Sequence, residues 1–363
     1  MHARRRSSIA IVALLAACSS PATVVPADTI FVGGRVLTLD AEGRRAEALA
    51  VRGRRIAAVG SEDDLLALQG ADTRIIDLEG RVLAPGFVDT RADLLRRAGS
   101  DPGRIEAQAA EYARAGITTI QAPALSAAQV VALGAVANSL RLATDAVAFP
   151  NWEAIGELHD ELEDMDCVGS FRVGGIEVGS GSPSSDELNA RLRQCFEQGW
   201  HVEVIVDDQV SVDALVAALR DLRAALPQAR PRVVATLRRA DLRDDQLDAL
   251  RELEVFVAVS PSPLAARAAE RGLRISLHEP ASDRIAAPLE LVAAAIRSGM
   301  PAERALRAVT IDAARQLRVD GRKGSLEVGK LADLVLLSAD PTQDGRPASI
   351  EVLAVHKAGA RVE

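Results

Sequence analysis

The chain has 363 residues, of which 48% are hydrophobic and 26% charged, so it can bury a large core and is not a disordered chain. That length suits a barrel of about 250 residues plus a smaller module. A net charge of −8 without a basic patch excludes a nucleic-acid surface, and two Trp, one Tyr and six Phe are too few for base-stacking platforms.

Arg4, Arg5 and Arg6 open the chain as a basic region, and Ile9 to Ala17 is an apolar run well short of the roughly 20 residues a membrane span needs. Leu15-Ala16-Ala17-Cys18 then resembles a bacterial lipoprotein lipobox. The resemblance implies lipidation of Cys18, with Ser19 pointing to the outer membrane facing the periplasm. The alternative is an ordinary cleavable signal with a chance cysteine. Ser19 to Ala27, with Pro21 and Pro26, reads as a tether. Cys167 and Cys195 remain, either as a pair in an oxidising compartment or as buried free thiols. Their spacing does not resemble a zinc site.

From Asp28 the pattern is β. Thr29 to Val32 leads through Gly33-Gly34 into Arg35 to Leu39, which predicts a hairpin. Ala48 to Val51, Ile56 to Val59 and Arg74 to Leu78 follow, and Leu334 to Leu337 and Val352 to Val355 are strands at the far end. Strands at both termini predict one module built from residues 28–81 and 322–363, after a signal and tether over 1–27. Between them, over residues 82–321, strands near 82–88, 117–122, 141–148, 172–178, 201–206, 232–237, 255–259 and 274–278 alternate with helices. Arg104 to Ala115, Asp186 to Gln198, Val212 to Leu226 and Asp244 to Leu253 show the helical spacing. The expected fold is therefore an α/β, TIM-type (β/α)8 barrel with a small β-sandwich made of N- and C-terminal segments. The Gly179 to Ser185 run reads as a flexible loop, since it lacks the lysine and spacing of a phosphate-binding loop.

Gly80 to Leu95 is the most informative stretch. An apolar strand passes a Pro85-Gly86 turn and delivers Phe87, Val88 and Asp89 to a polar tip with Arg91 and Asp93. It resembles the first-strand signature of the amidohydrolase superfamily, particularly amidohydrolase family 3, in which a Pro-Gly-Phe-(Ile/Val)-Asp phrase precedes a metal-binding His-x-His pair. Here that pair is Arg91-x-Asp93. Gly324 to Leu337 resembles the family's C-terminal signature, and the resemblance covers nearly everything after Ala27. Family-3 members are longer, with barrel insertions that this chain lacks.

The resemblance implies hydrolysis of non-peptide C–N bonds by a metal-bound hydroxide, with a carboxylate to move the proton. It also implies a lysine or carboxylate after the fourth strand, histidines after the fifth and sixth, and an aspartate after the eighth. Those places fall on Glu177, Ile205, Ala235 and Pro280. The five histidines, His2, His159, His201, His278 and His356, form no His-x-His or His-x-x-x-His pair. The candidate site is thus a barrel-mouth set of Arg91, Asp93, Glu177, Asp207, His278 and Glu279, with Asp208 beside it. No confident catalytic residue or metal ligand is expected among them, nor a cofactor. The alternative is a divalent metal such as zinc on an oxygen-rich site with one imidazole. Neither Cys195 nor Cys167 stands at a nucleophile position. The expected protein is a degenerate amidohydrolase-like envelope lipoprotein with a small-molecule binding or scaffold role, attached to the membrane by its lipid alone, with no nucleic-acid partner. The alternative is an active metal-dependent amidohydrolase with a carboxylate-rich site.

Overall fold

The computed structural model describes residues 25–139, 142–158, 169–179, 185–238, 241–279, 284–285, 287–343 and 347–362. Cys18, His159, Cys167, Pro280 and most of the Gly179 to Ser185 run lie outside them. Seven strands open the fold: β1 (Thr29–Val32), β2 (Arg35–Leu37), β3 (Arg45–Ala46), β4 (Ala48–Arg52), β5 (Arg55–Gly60), β6 (Arg74–Asp77) and β7 (Val82–Pro85). Nine more alternate with helices: β8 (Phe87–Asp89), β9 (Ile117–Leu125), β10 (Asp145–Pro150), β11 (Phe171–Val173), β12 (Ile176–Val178), β13 (Val202–Val206), β14 (Val233–Leu237), β15 (Phe256–Val259) and β16 (Arg274–Leu277). β17 (Leu334–Leu337), β18 (Val352–Lys357) and β19 (Ala360–Arg361) complete the order.

The terminal strands make two sheets. One is ordered β5-β4-β1-β6, the other β19-β18-β17-β7-β2-β3, and the second draws on both ends of the chain. Phe31, Leu49 and Ile56 of the first meet Val36, Leu83 and Leu334 of the second in one apolar core. Two expectations are corrected here. β1 and β2 are not a hairpin, because they belong to different sheets. The Gly33-Gly34 link turns the chain from one sheet to the other, and a Cβ on Gly34 would lie 2.5 Å from the Arg81 carbonyl oxygen. Likewise, 82–88 is not one strand. β7 pairs antiparallel with β17 and parallel with β2, while β8 joins the parallel strands beyond. Gly86 makes the switch where a Cβ would meet Thr118 Oγ1 at 2.3 Å.

The parallel strands form a four-stranded sheet, β11-β10-β9-β8, and a five-stranded sheet, β12-β13-β14-β15-β16. Most of their residues are apolar, as in strands covered on both faces, with Gln121, Glu177, Glu203, Thr236 and Ser276 as buried polar exceptions. The expected strand over 172–178 is two short ones, β11 and β12, broken at Gly174-Gly175, and the strand expected over 141–148 lies at Asp145–Pro150. Side chains alternate across each strand. Val202, Val204 and Val206 of β13 pack into the layer shared with the helices, which leaves Glu203 on the interior face. Val234, Phe256 and Ala258 form a separate interior cluster. Helices start at ordinary caps, for example Ser126 before Ala127–Asn138 and Asp208 before Gln209–Ala225.

Among the described residues no ladder pairs β16 with β8. Ala308 and Val309 lie in that seam: Leu277 donates its N–H to the Ala308 carbonyl at 3.1 Å, and Val88 donates to the Val309 carbonyl at 2.8 Å. The other seam carries one bridge, Asn151 to Glu177. No helix of the described residues is long and apolar enough to cross a membrane.

At the N-terminal ends of the parallel strands sits a buried charge cluster. Lys323 contacts Asp145 at the start of β10 and donates to Asp333 at 2.5 Å and Thr119 Oγ1 at 3.1 Å. Lys357 reaches the other oxygen of Asp145 at 2.7 Å. Burial alone would raise Asp145, but Lys323 and Lys357 overrule it and hold it down to about 2. The cluster fastens the C-terminal signature to the parallel strands. Removing one member of such a set leaves buried charge unpaired, so Lys323→Ala should lower stability by about 3–5 kcal/mol. Urea unfolding at pH 7 reads this directly, and a loss below about 1 kcal/mol would show that Lys357 alone neutralises the cluster.

Candidate functional site

Where the parallel strands end, one buried carboxylate organises the neighbourhood. Glu203 is fully buried within an otherwise apolar strand. It accepts hydrogen bonds from Arg91 Nη1 at 2.9 Å, Thr236 Oγ1 at 2.6 Å and the amide of Gln121. Arg91 follows β8 and Gln121 lies in β9, so Glu203 joins the two parallel sheets across their shared interior. The network continues. Gln316 donates to Gln121 at 3.5 Å, Ser276 donates to Gln316 at 2.7 Å, and Thr90 and Ser276 share a bond of 3.1 Å. Every member except Arg91 is buried.

Arg91 also approaches Glu177 Oε2 at 3.7 Å, too long for a hydrogen bond, and that oxygen has no hydrogen-bond partner. Arg91 is one-fifth exposed, and among the described residues its Nε and Nη2 make no hydrogen bond. Burial, and then the charge of Glu203, push Glu177 up to about 7 against the pull of Arg91 and Arg238. Burial raises Asp89 to about 6, even though it accepts the Arg91 N–H at 2.8 Å.

His278 is buried just past β16, with Nδ1 3.2 Å from the Glu279 carbonyl and Nε2 without a partner. Burial holds its imidazole down to about 4, so it is neutral at physiological pH. Glu279 Oε1 lies 3.4 Å from Arg284, and its Oε2 is buried without a partner among the described residues.

The structure therefore brings Arg91 and Glu177 together and leaves other expected members apart. Asp93 pairs with Arg96 at 3.0 Å, and Asp207 with Arg238 at 3.3 Å on the surface. Asp208 caps a helix, accepting from the Ser211 backbone at 2.8 Å. His201 is at the opposite end of the strands, where its Nδ1 accepts the Arg232 N–H at 2.6 Å. Burial, then Arg318, Arg232 and Arg172, take it down to about 3. Ala235, aligned with a family ligand, packs in the helix-facing core, while its neighbour Thr236 bonds Glu203. Cys195 is a buried thiol that burial pushes up to about 12, unfit as a nucleophile.

The sequence reading missed Glu203, Gln121, Thr236, Ser276 and Gln316. The signal for Glu203 was present: a lone acid inside Val-x-Val-Ile-Val, a strand buried on both faces, must be paired.

Glu177 makes a pH-dependent prediction. Between its ordinary value of 4.5 and about 7 the folded chain keeps a proton that the unfolded chain has released, so this group's stabilisation fades as pH rises through that window. Glu177→Gln removes the effect and leaves His278 in place. The variant should gain on the parent by roughly 1–3 kcal/mol from pH 5 to pH 8, measured by urea unfolding at each pH. A difference constant across that range would show that Glu177 titrates normally.

Residues 101–362 match the family model described as "Amidohydrolase family". No curated protein matches the chain. Similar solved structures include an uncharacterized metal-dependent hydrolase from Pyrococcus furiosus, at a TM-score of 0.72 and 14% identity over 87% of this chain and 100% of that one. An adenosine deaminase from Xanthomonas campestris with bound zinc aligns at a TM-score of 0.70 and 19% identity, covering 93% of each chain. Guanine deaminase from E. coli aligns at 0.69 and 16%, over 92% of this chain and 99% of that one. These findings correct the expectation that no cofactor takes part: one of these similar structures is a metal-dependent hydrolase and another holds zinc. The side chains described here do not reproduce a multi-histidine centre. Arg91 stands at the first-strand tip, and no group of three His, Cys, Asp or Glu among the described residues is placed to hold a metal ion. By its family match and its fold, the chain belongs to the amidohydrolase family.

Proposed function

We propose that this chain is a catalytically degenerate amidohydrolase-family lipoprotein of the cell envelope, whose strand tips bind a small molecule. In this reading the two parallel sheets are halves of one (β/α)8 barrel, and residues 28–81 with 322–363 form a separate β-sandwich module. The observation that carries it is the ion pair at the first-strand tip, where Arg91 Nη1 lies 2.9 Å from Glu203 Oε1. A guanidinium cannot generate hydroxide, and here it spends part of its charge on a buried structural carboxylate. Its remaining donors and the unpartnered oxygens of Glu177 and Glu279 offer hydrogen bonds to a ligand.

A second reading is an active metal-dependent hydrolase with an oxygen-rich site. What favours it is the unpartnered state of Glu177 Oε2, His278 Nε2 and Glu279 Oε2, three buried acceptors near the strand tips. The two readings part on turnover. With the purified full chain in detergent, a panel of amides, cyclic amides and aminopurines should show no hydrolysis above background, with or without added zinc. Turnover that a chelator abolishes and zinc restores would establish the second reading.

The lipobox-like Leu15 to Cys18 supports the envelope assignment. Metabolic labelling with a fatty-acid analogue should mark the protein, and Cys18→Ala should abolish both label and membrane association on fractionation. Label retained in the variant would sink the lipid assignment.

A further inference from the structure

Beside the strand tips, between the ends of β14 and β15, lies a cavity of about 380 Å³. That is the lower range of small-ligand sites. Its apolar surfaces come from Leu237 and Val259, the last residues of the two strands, and from Pro263 and Leu264 of the helix Pro263–Glu270. Two polar groups of the lining lack a full set of partners. Arg238 lies 3.3 Å from Asp207 through Nε, and among the described residues its Nη atoms make no hydrogen bond. Ser260 Oγ is buried without a partner. The second arginine of the lining, Arg267, is already committed to Asp244 at 2.8 Å, the Leu242 carbonyl at 3.0 Å and Asp241 at 3.3 Å. Arg238 also acts on Glu177, so the cavity and the strand-tip cluster share one electrostatic neighbourhood.

We propose that this cavity binds the carboxylate end of a small aliphatic acid, with the carboxylate on Arg238 and Ser260 and the hydrocarbon on Leu237, Val259, Pro263 and Leu264. Two coplanar Nη donors match the two oxygens of a carboxylate, and a single hydroxyl adds a third bond. A neutral ligand would forgo the charge-assisted bonds that the Nη donors of Arg238 can make, and a cationic one would gain nothing from that guanidinium. The assignment rests on the reading of the strand tips as a ligand-binding site and gives that site's ligand its chemical class.

Calorimetry of the full chain with hexanoate, hexanamide and hexylamine tests it. Hexanoate should bind at least about tenfold more tightly than either partner of equal length. Arg238→Gln, a change at a half-exposed side chain, should weaken hexanoate binding roughly ten- to a hundredfold, and Ser260→Ala severalfold. Equal binding of the three probes, no binding of hexanoate, or full affinity in Arg238→Gln would overturn the assignment. Should Arg238→Gln fail to fold by circular dichroism, the head-group comparison on the parent chain and Ser260→Ala decide. The two proposals fail separately: turnover on the amide panel would remove the degenerate reading and leave hexanoate binding standing, whereas loss of hexanoate selectivity without turnover removes the cavity assignment alone.

Discussion

A carboxylate with no access to water governs the centre of this molecule. Glu203 projects from an otherwise apolar parallel strand into the space between two sheets that, among the described residues, share no ladder at the β16 seam. Its desolvation would be prohibitive without partners, so the chain supplies a cation and two neutral donors. Two of the three, Arg91 and Gln121, come from the opposite sheet. Satisfying Glu203 and holding the sheets in register are therefore the same event. Thr90, Ser276 and Gln316 extend that tie to the seam between β8 and β16. A network in which each buried member has a partner specifies one arrangement of its elements more sharply than apolar packing alone.

A second set of charges works at the other end of the strands. Lys323 with Asp145 and Asp333 clamps the C-terminal signature beneath β9 and β10, and Lys357 of β18 joins from the terminal sheets. Here positive and negative charges are evenly matched, and every group has close partners. At the strand tips they are not matched, and several acceptors stand unpartnered. The four charges of that cluster are fully paired, whereas Glu177 and Glu279 at the strand tips each keep a buried oxygen without a partner among the described residues.

Much of this was legible from the residues. Helical spacing and apolar runs placed the alternating elements because burial on both faces leaves a strong pattern, and Gly324 to Leu337 identified the returning strand. Local pattern could not show pairing. Thr29 to Val32 and Arg35 to Leu37 read as a hairpin because two glycines between apolar runs are the hairpin signal, yet Leu78 and Arg81 pack against Gly34 and send β2 to another sheet. For the site, Arg91 and Glu177 were found through the family frame, which fixes positions near strand ends. Asp93, Asp207 and Asp208 stood at the same ends, but their partners are surface arginines and a helix N-terminus, which only coordinates reveal. Glu203 escaped because the frame directs attention to Ile205, two residues on along the same face.

The charge balance at the tips explains the state of Glu177. Glu203, with three donors, is the better stabilised of the two buried acids and takes the larger share of the single guanidinium. Glu177, 3.7 Å from Arg91, must face both its own burial and the negative charge of Glu203. One positive charge cannot neutralise two sheltered carboxylates, so burial and the charge of Glu203 hold Glu177 up at about 7. A doubly charged ion between them would satisfy both at once, whereas a guanidinium with a proton leaves one carboxyl able to donate as well as accept. That Glu177 can exist as a neutral acid at the strand tips follows from its burial and from the charge of Glu203, which together outweigh Arg91, and it gives the site a hydrogen-bond donor that two fully ionised carboxylates would lack.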